Sequence, residues 1–359
     1  MGKKYHHLTW EDRLYLERLT RQKYPKKEIA KIMGCSLATV YNELKRGAYE
    51  HLKSDLTTEI RYSPQKAYIT YKDGLKRKGR TPKLELDTEL RNYIKDLIKG
   101  QNFSPEAVLF EIRANSLIFT EEVKSVQTIY SGIRKGIFEG ITMRDMPRHG
   151  KVKRKRKMVE KLPAYIREQK GKSIEERPDD VEDRESFGHW EMDCLVGKLT
   201  NRKTALVLTE RKTRFEIVER LKAHTTSEVV KALNRIEKKM GSAFYKVFKS
   251  ITVDNGVEFK DVIGMEKALR RKAKRTDIYY CHPRSPNERG SNENANILLR
   301  RFSGLEKGSN FDKTLTYRTC KDAQFWINTY PRGILNGKCS MELFNQELDS
   351  LNIKHYFEL

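Results

Sequence analysis

Three short stretches in the second half of this 359-residue chain hold residues able to do chemistry: Glu191-Met192-Asp193, Asp254-Asn255-Gly256 and Asn292-Glu293-Asn294. Asp193, Asp254 and Glu293 form the candidate catalytic and metal-ligating set. Magnesium is a hard cation that takes oxygen ligands, commonly a few carboxylates with phosphate oxygens. Two such ions about 3.5–4 Å apart activate an attacking oxygen and stabilise a leaving one. Three acids from three elements hold both ions and leave positions for a scissile phosphate. The expected cofactor is therefore Mg2+, as two ions, with Mn2+ as a substitute. Alone, each stretch says little, because Asp-Asn-Gly is commonly an ordinary turn; their joint occurrence, in order, is the signal. Glu288 rivals Glu293 for the third position. Glu191 shares a strand face with Asp193 by period two and reads as an accessory ligand or, better, a salt-bridge partner. Glu258 reads as structural or substrate-orienting. His189 and Cys281-His282 lack the second pair a zinc site needs and read as packed side chains.

The elements that must position these acids follow from pattern. Trp190 to Val196, Thr204 to Leu208 and Phe215 to Leu221 read as three strands in hairpin succession. Thr226 to Met240 carries Val229, Val230, Leu233 and Ile236 at helical spacing. A strand at Ser250 to Val253, a helix near Gly264 to Lys272, a strand at Asp277 to Tyr280 and a helix from Ser291 to Phe302 complete the order βββαβαβα. That order is the ribonuclease-H-like one, expected here as an integrase-type α/β domain with a mixed five-stranded sheet. In such a sheet the first and fourth strands are neighbours and the last helix starts beside them, so the three acids converge.

The chain carries 73 Lys and Arg against 49 Asp and Glu, a formal charge of +24. Such an excess attracts polyanions. No apolar run approaches the roughly 20 residues of a membrane span, and the start has no apolar stretch of a signal peptide. Five cysteines without a CxxC pair argue against disulfides and a structural zinc site, and for a reducing cytosol.

The first half is expected to be all-α and to read DNA. Ser36 to Gly47 and Ser125 to Gly136 match each other: a serine N-cap, aliphatic residues four apart (Val40 with Leu44, Ile129 with Ile133), then two cations and a glycine stop. Pro25 to Met33, the turn Gly34-Cys35 and the helix from Ser36 make a helix-turn-helix, with Thr9 capping a helix ahead of it. Ser36, Ala38, Thr39 and Asn42 are candidates for bases, and Lys45 and Arg46 for phosphates. In the second copy Asp87 to Lys99 leads, and Ser104-Pro105 opens a helix to about Arg113. Gln127, Thr128, Arg134 and Lys135 are its DNA-facing candidates; its looser turn leaves a structural or dimerising role open. Lys76, Arg77, Lys78 and Arg80 belong to a basic glycine-rich stretch that reads equally as a solvated link or as a segment laid along a DNA groove. The run Lys151 to Lys157 reads the same way. The expected domains are 1–62 (helix-turn-helix), 63–85 (basic linker), 86–148 (second helix-turn-helix-like domain), 149–184 (basic connector), 185–345 (catalytic core) and 346–359 (tail).

These residues together resemble the insertion-sequence-thirty family of transposases, from about His7 to Phe344. The marks are Leu8-Thr9, the Ser36 to Gly47 helix, Ile174-Glu175-Glu176-Arg177-Pro178, Gly188-His189-Trp190-Glu191-Met192-Asp193 and Asp254-Asn255-Gly256-Val257-Glu258-Phe259. They continue through Ser285 to Asn296, the most specific stretch, and Asn328-Thr329-Tyr330-Pro331-Arg332. The resemblance implies an Asp-Asp-Glu transposase of a bacterial insertion sequence. It implies binding to double-stranded DNA (terminal inverted repeats and target), single-strand cleavage and 3′-hydroxyl strand transfer. It also implies a cytoplasmic, nucleoid-associated protein. End synapsis implies a homodimer or higher. By position the triad is Asp193, Asp254 and Glu293. A regulator with an assembly-only second half and a stand-alone nuclease are the alternatives. The chain departs from the family in a basic insertion at Lys267 to Arg275, which lengthens the interval between the second and third acids to 38 residues. It also has Ser303 to Gly308 where Phe-Pro-Lys-Gly is usual, and Ser340-Met341 where Thr-Pro is usual.

Overall fold

The computed structural model describes residues 7–76, 82–150, 171–282 and 285–357. The chain forms two compact units, Met1–Thr81 and Pro82–Leu359. In the first, α1 (Trp10–Arg21), α2 (Lys26–Ile32) and α3 (Leu37–Gly47) are followed by the hairpin β1 (Ala48–Leu52) and β2 (Thr58–Tyr62), then α4 (Pro64–Lys76). Thr9 and Asp12 cap α1 reciprocally, and Ser36 caps α3 by accepting from the Thr39 N–H at 3.0 Å. Gly34 takes the left-handed φ of +62° that the tight turn between α2 and α3 requires. Leu16, Leu19, Ile29, Val40, Tyr62 and Ala67 form the core.

Two expectations fail here. The first domain does not end at residue 62, and 63–85 is not simply a linker. Pro64–Lys76 is a helix packed on α3 and α1, with Ala67 fully buried. Its basic composition hid an apolar side.

The second unit opens with α5 (Lys83–Leu86), α6 (Thr88–Lys99), α7 (Pro105–Ala114) and α8 (Val126–Arg134). It continues through β3 (Lys172–Ser173), β4 (His189–Val196), β5 (Thr204–Glu210), β6 (Glu216–Leu221), α9 (Thr226–Met240), α10 (Phe244–Val247), β7 (Ser250–Val253), α11 (Val262–Glu266) and β8 (Asp277–Tyr280). It closes with α12 (Gly290–Leu299), α13 (Phe311–Thr314), α14 (Tyr317–Thr329) and α15 (Ser340–Ser350). The sheet order is β3-β8-β7-β4-β5-β6. The pairs β4–β5 and β5–β6 are antiparallel, whereas β7 is parallel to both β4 and β8.

The sheet is mixed, but it has six strands rather than five. The sixth, Lys172–Ser173, pairs in parallel with β8; two polar residues carry no alternation to read. The helix expected near Gly264 to Lys272 is instead the short α11, followed by a turn closed by a Lys267–Lys274 bridge. Residues 269–274 are exposed throughout and have no apolar face to bury. Helix α12 stops at Leu299, short of Phe302.

The boundaries drawn through the second unit also give way. Residues 86–148 join the same unit as the sheet: Tyr330 belongs to their apolar core, its hydroxyl accepts from the Ser104 N–H at 2.9 Å, and Trp326 Nε1 donates to the Gln101 carbonyl at 2.7 Å. Residues 346–359 are no tail. Helix α15 runs through the expected boundary, Leu348, Ile353 and Phe357 are core residues, and Phe344 stacks on Phe215 at 4.0 Å. The Lys151 to Lys157 run lies outside the described residues.

The sheet is covered on both faces. Trp190 and Met192 of β4 pack with α9 and α10, while Leu195 packs with Ala295 and Leu299 of α12. Odd-numbered residues of β4, Asp193 included, therefore face the side that α12 covers. The described cysteines are all free thiols, and no helix among the described residues is long and apolar enough to cross a membrane.

Candidate active site and nucleic-acid interface

Strand pairing brings the first two acids together. In the parallel β4–β7 ladder Glu191 lies opposite Thr252; carried two residues further, the same register sets Asp193 opposite Asp254. Asp254 leaves β7 in a turn held by the Gly256 N–H donating to Asp254 Oδ1 at 2.9 Å and by Asn255 Nδ2 donating to the Cys281 carbonyl at 2.8 Å. A Cβ at Gly256 would lie 2.6 Å from Glu258 Oε2 and 2.9 Å from Asp254 Oδ1, so a side chain there displaces these carboxylates.

Arg289, missed in the sequence, bridges the pair. Its guanidinium lies 2.8 Å from Asp254 Oδ2 and 3.4 Å from Asp193 Oδ1. Burial works against that charge, and the two carboxylates outweigh it, so the guanidinium is held above its ordinary pKa. The Asp193 carboxyl is itself raised: burial lifts it, Arg289 opposes, and Asp254 adds like-charge repulsion. The Cys194 N–H donates to Asp193 Oδ1 at 2.8 Å and Asn296 Nδ2 donates to Asp193 Oδ2 at 2.9 Å.

Helix α12 is fastened to the strand that carries Asp193. Buried Asn292 donates through Nδ2 to the Glu191 and Val207 carbonyls and to Thr209 Oγ1, at 3.1–3.3 Å. Its own N–H donates to Glu191 Oε2 at 2.8 Å, and Arg211 donates to Glu191 Oε1 at 2.8 Å. Glu191 is thus the salt-bridge partner its position suggested, and it also ties down the first turn of α12. Glu293, next along, stands three residues before Asn296, on the same helix face. It is exposed and has no hydrogen-bond or ion-pair partner among the described residues.

The rival acids have other partners. Glu288 accepts from the His282 N–H and from its Nδ1, both at 2.8 Å. Those contacts, with Glu175 beyond, raise the His282 pKa. Glu258 pairs with His224 at 2.8 Å, beside the Asp254 turn. His189 is buried against Ser250, its Nδ1 2.7 Å from the hydroxyl, and Cys281 is a buried thiol pushed up to about 12 by desolvation.

Of the first-unit interface candidates, Ser36, Ala38, Asn42 and Lys45 are exposed along α3 and Thr39 is half-buried. The Ser36 hydroxyl is engaged as cap and lies 2.8 Å from Thr39 Oγ1. Arg46 is part-exposed at the end of α3. It pairs with Glu43, which also takes Arg13 at 2.6 Å, and its guanidinium lies over Tyr71. Arg13 and Glu43 are 1% and 2% exposed, a buried ion pair thirty residues apart in sequence. Lys76 ends α4, with its side chain outside the described residues, as are Arg77, Lys78 and Arg80. In the second unit Gln127, Arg134 and Lys135 are exposed and Thr128 is half-buried. Gln127, Thr128 and Lys135 line one groove with Lys83 and Ser131.

The family model of a helix-turn-helix domain matches residues 4–47. Across 95% of this chain and 94% of the relative, the sequence is 28% identical to the probable transposase for insertion-like sequence element IS1161 of Streptococcus salivarius. It is 27% identical to the transposase for insertion sequence element IS4351 of Bacteroides fragilis, over 97% of this chain and 98% of that protein. It is 34% identical to the transposase InsI for insertion sequence element IS30A of Escherichia coli (strain K12), over 37% of this chain and 32% of that protein. Two likenesses run through both compact units nearly end to end, and the third rises in identity over a shorter stretch. Along nearly its whole length the chain is thus similar to transposases of insertion sequences, and over about a third of its length to that of an IS30 element.

Proposed function

We propose that this chain is a transposase of the insertion-sequence-thirty family that cuts and joins DNA with Asp193, Asp254 and Glu293 as its catalytic acids, in a domain of the ribonuclease-H-like, integrase type. The observation that carries the reading is the β4–β7 register, which sets Asp193 opposite Asp254 with a helix bearing Glu293 fastened to the same strand. The three antiparallel strands β4 to β6, continued by three parallel ones, β7, β8 and β3, and covered by helices on both faces, support the fold assignment.

The residues present fit magnesium. Two facing carboxylates call for a cation, and here they share one guanidinium. Beside them the buried Asn296 Oδ1 accepts no hydrogen bond while its Nδ2 is committed to Asp193 and Asn292. The donors are all oxygens, the preference of a hard cation. Asp193, Asp254 and Glu293 would hold it. The chemistry a pair of such ions supplies is activation of the attacking oxygen and stabilisation of the leaving one. The chain's own work is positional. Glu191 and Asn292 hold α12 on β4, the Gly256 turn aims Asp254, and Arg289 keeps the two aspartates together. Exposed Asn42 and Lys45 of α3 are the base- and phosphate-facing side chains of the DNA-reading unit.

The test uses purified full-length chain, duplexes carrying the element's ends, and Mg2+. Asp254→Asn and Glu293→Gln each lower end cleavage by at least ~100-fold, the several kcal/mol that metal-assisted charge stabilisation supplies, and leave DNA binding intact. Glu288→Gln retains cleavage. Unchanged cleavage in Asp254→Asn, with binding intact, overturns the proposal. Joining of pre-cut ends to a second duplex separates a transposase from a nuclease.

A further inference from the structure

Cys194 follows Asp193 on β4 and so faces the opposite side of the sheet, where it packs toward the α9 core. Two side chains from distant elements meet it there. His224 comes from the connection between β6 and α9, and Glu258 from the turn after Asp254. The Cys194 Sγ, one His224 ring nitrogen and one Glu258 carboxylate oxygen all lie within 4.8 Å of one another. His224 Nε2 and Glu258 Oε1 are 2.8 Å apart.

Sulfur, imidazole nitrogen and carboxylate oxygen are a donor set of a different kind from the all-oxygen acids. Thiolate and imidazole select zinc over magnesium. Zinc bonds of about 2.3 Å to sulfur and about 2.0–2.2 Å to nitrogen and oxygen put ligand atoms roughly 3.5 Å apart around a tetrahedral centre. Closing the set onto an ion therefore asks for movements of about 1 Å, available to the half-exposed His224 side chain. The spacing along the chain, residues 194, 224 and 258, resembles no short metal motif, so the cluster is invisible until the sheet is assembled.

We propose that Cys194, His224 and Glu258 form a zinc-binding site on the face of the sheet opposite Asp193, with three protein ligands and a fourth position open. The sulfur–zinc bond forms as the thiol proton leaves to solvent, and the hydrogen bond between His224 and Glu258 gives way to their bonds to the ion as the Nε2 proton is exchanged through solvent for one on Nδ1, leaving the imidazole neutral. Occupation of the site fixes Glu258, whose other oxygen crowds Gly256 in the turn that aims Asp254. The site thus bears on the mounting of a catalytic acid without supplying one.

Metal-free full-length chain titrated with Co2+ tests this. The expected result is one equivalent bound with a sulfur-to-cobalt charge-transfer absorption in the near ultraviolet. Cys194→Ser abolishes that band, and Cys320→Ser, in a different core, leaves it. His224→Ala weakens Co2+ binding by ~10-fold or more, at least the loss caused by removing an outer partner of a metal ligand. Zn2+ displaces the cobalt and shields Cys194 from iodoacetamide, read by mass spectrometry, while excess Mg2+ does neither. Absence of the band, or a band that survives Cys194→Ser in a variant whose circular dichroism matches the parent, overturns the proposal. None of these readouts depends on DNA cleavage.

Discussion

Glu191→Gln tests whether one buried carboxylate holds α12, the helix of Glu293, to β4, the strand of Asp193. Glu191 is fully buried and uses both oxygens, one for Arg211 and one for the Asn292 N–H, each at 2.8 Å. Glutamine has nearly the same shape but only one oxygen, so its NH2 must face one of those donors. Arg211 is also buried, and its remaining carboxylate partner, Glu182, lies 3.4 Å away on the exposed side. Losing a hydrogen bond to a charged group costs about 1.5–3 kcal/mol. Removing one member of a buried ion pair costs about 3–5 kcal/mol, because the other charge is left uncompensated. The swap opens no cavity, so these figures bound the effect, and about 3–5 kcal/mol is expected. Against the roughly 5–15 kcal/mol that holds a domain together, that is a large fraction. Urea unfolding followed by tryptophan fluorescence reads it, since Trp190 is buried and stacked on Phe248 at 4.4 Å. End cleavage falls in the same variant, because Glu293 loses its mounting. Asn294→Ala, which removes only a contact within α12, is the control. An unchanged urea midpoint, or a lowered midpoint with full cleavage in the folded fraction, refutes the argument.

Asp193→Asn is expected to abolish cleavage while raising the urea midpoint at pH 7. The folded carboxyl keeps its proton to higher pH than the unfolded one, so the wild type loses stability as pH rises through its raised pKa, and the variant's advantage disappears as pH falls back through it. Glu216 is driven by burial to a pKa of about 8, with Arg332 opposing. Stability therefore declines between the ordinary glutamate range and about pH 8, and Glu216→Gln flattens that part of a pH–midpoint curve. In competitive binding, Asn42→Ala loses about 1–3 kcal/mol on the cognate end and relaxes preference at one position. Lys45→Ala weakens all duplexes alike and lowers the salt slope by about 1; the reverse assignment would be read in the same titrations.

The strands that carry the acids were legible because their alternation was strong, and the helix starts because Thr9, Ser36 and Ser104 are caps in the structure too. What escaped reading has particular causes. Lys172–Ser173 is a strand only because β8 offers it an edge. Helix α4 looked like a linker because lysines outnumber its buried residues, and the C-terminal residues looked like a tail because Leu348, Ile353 and Phe357 are too sparse to form a pattern. Arg289 stood inside the most specific stretch of sequence, five residues after Arg284 and one after Glu288, with nothing to distinguish it as the cation between Asp193 and Asp254. Arg13 and Glu43 lie on separate helices, and only tertiary packing makes them partners. The same packing gives Arg46, at the helix end, a protein partner in Glu43.

The parallel register between β7 and β8 bears on how such a chain can lengthen. Asp254 follows the last residue of β7, whereas Lys267 to Arg275 enters just before the first residue of β8, at the opposite end of the same ladder. Residues 269–274 there are exposed at the far rim, while Arg275 is buried and anchors the segment to Glu237. The interval counted along the chain is thus elastic, and the ladder is the ruler. A deletion of one residue inside β7 is worse than a change of length beside α11, because it turns Asp254 to the wrong face.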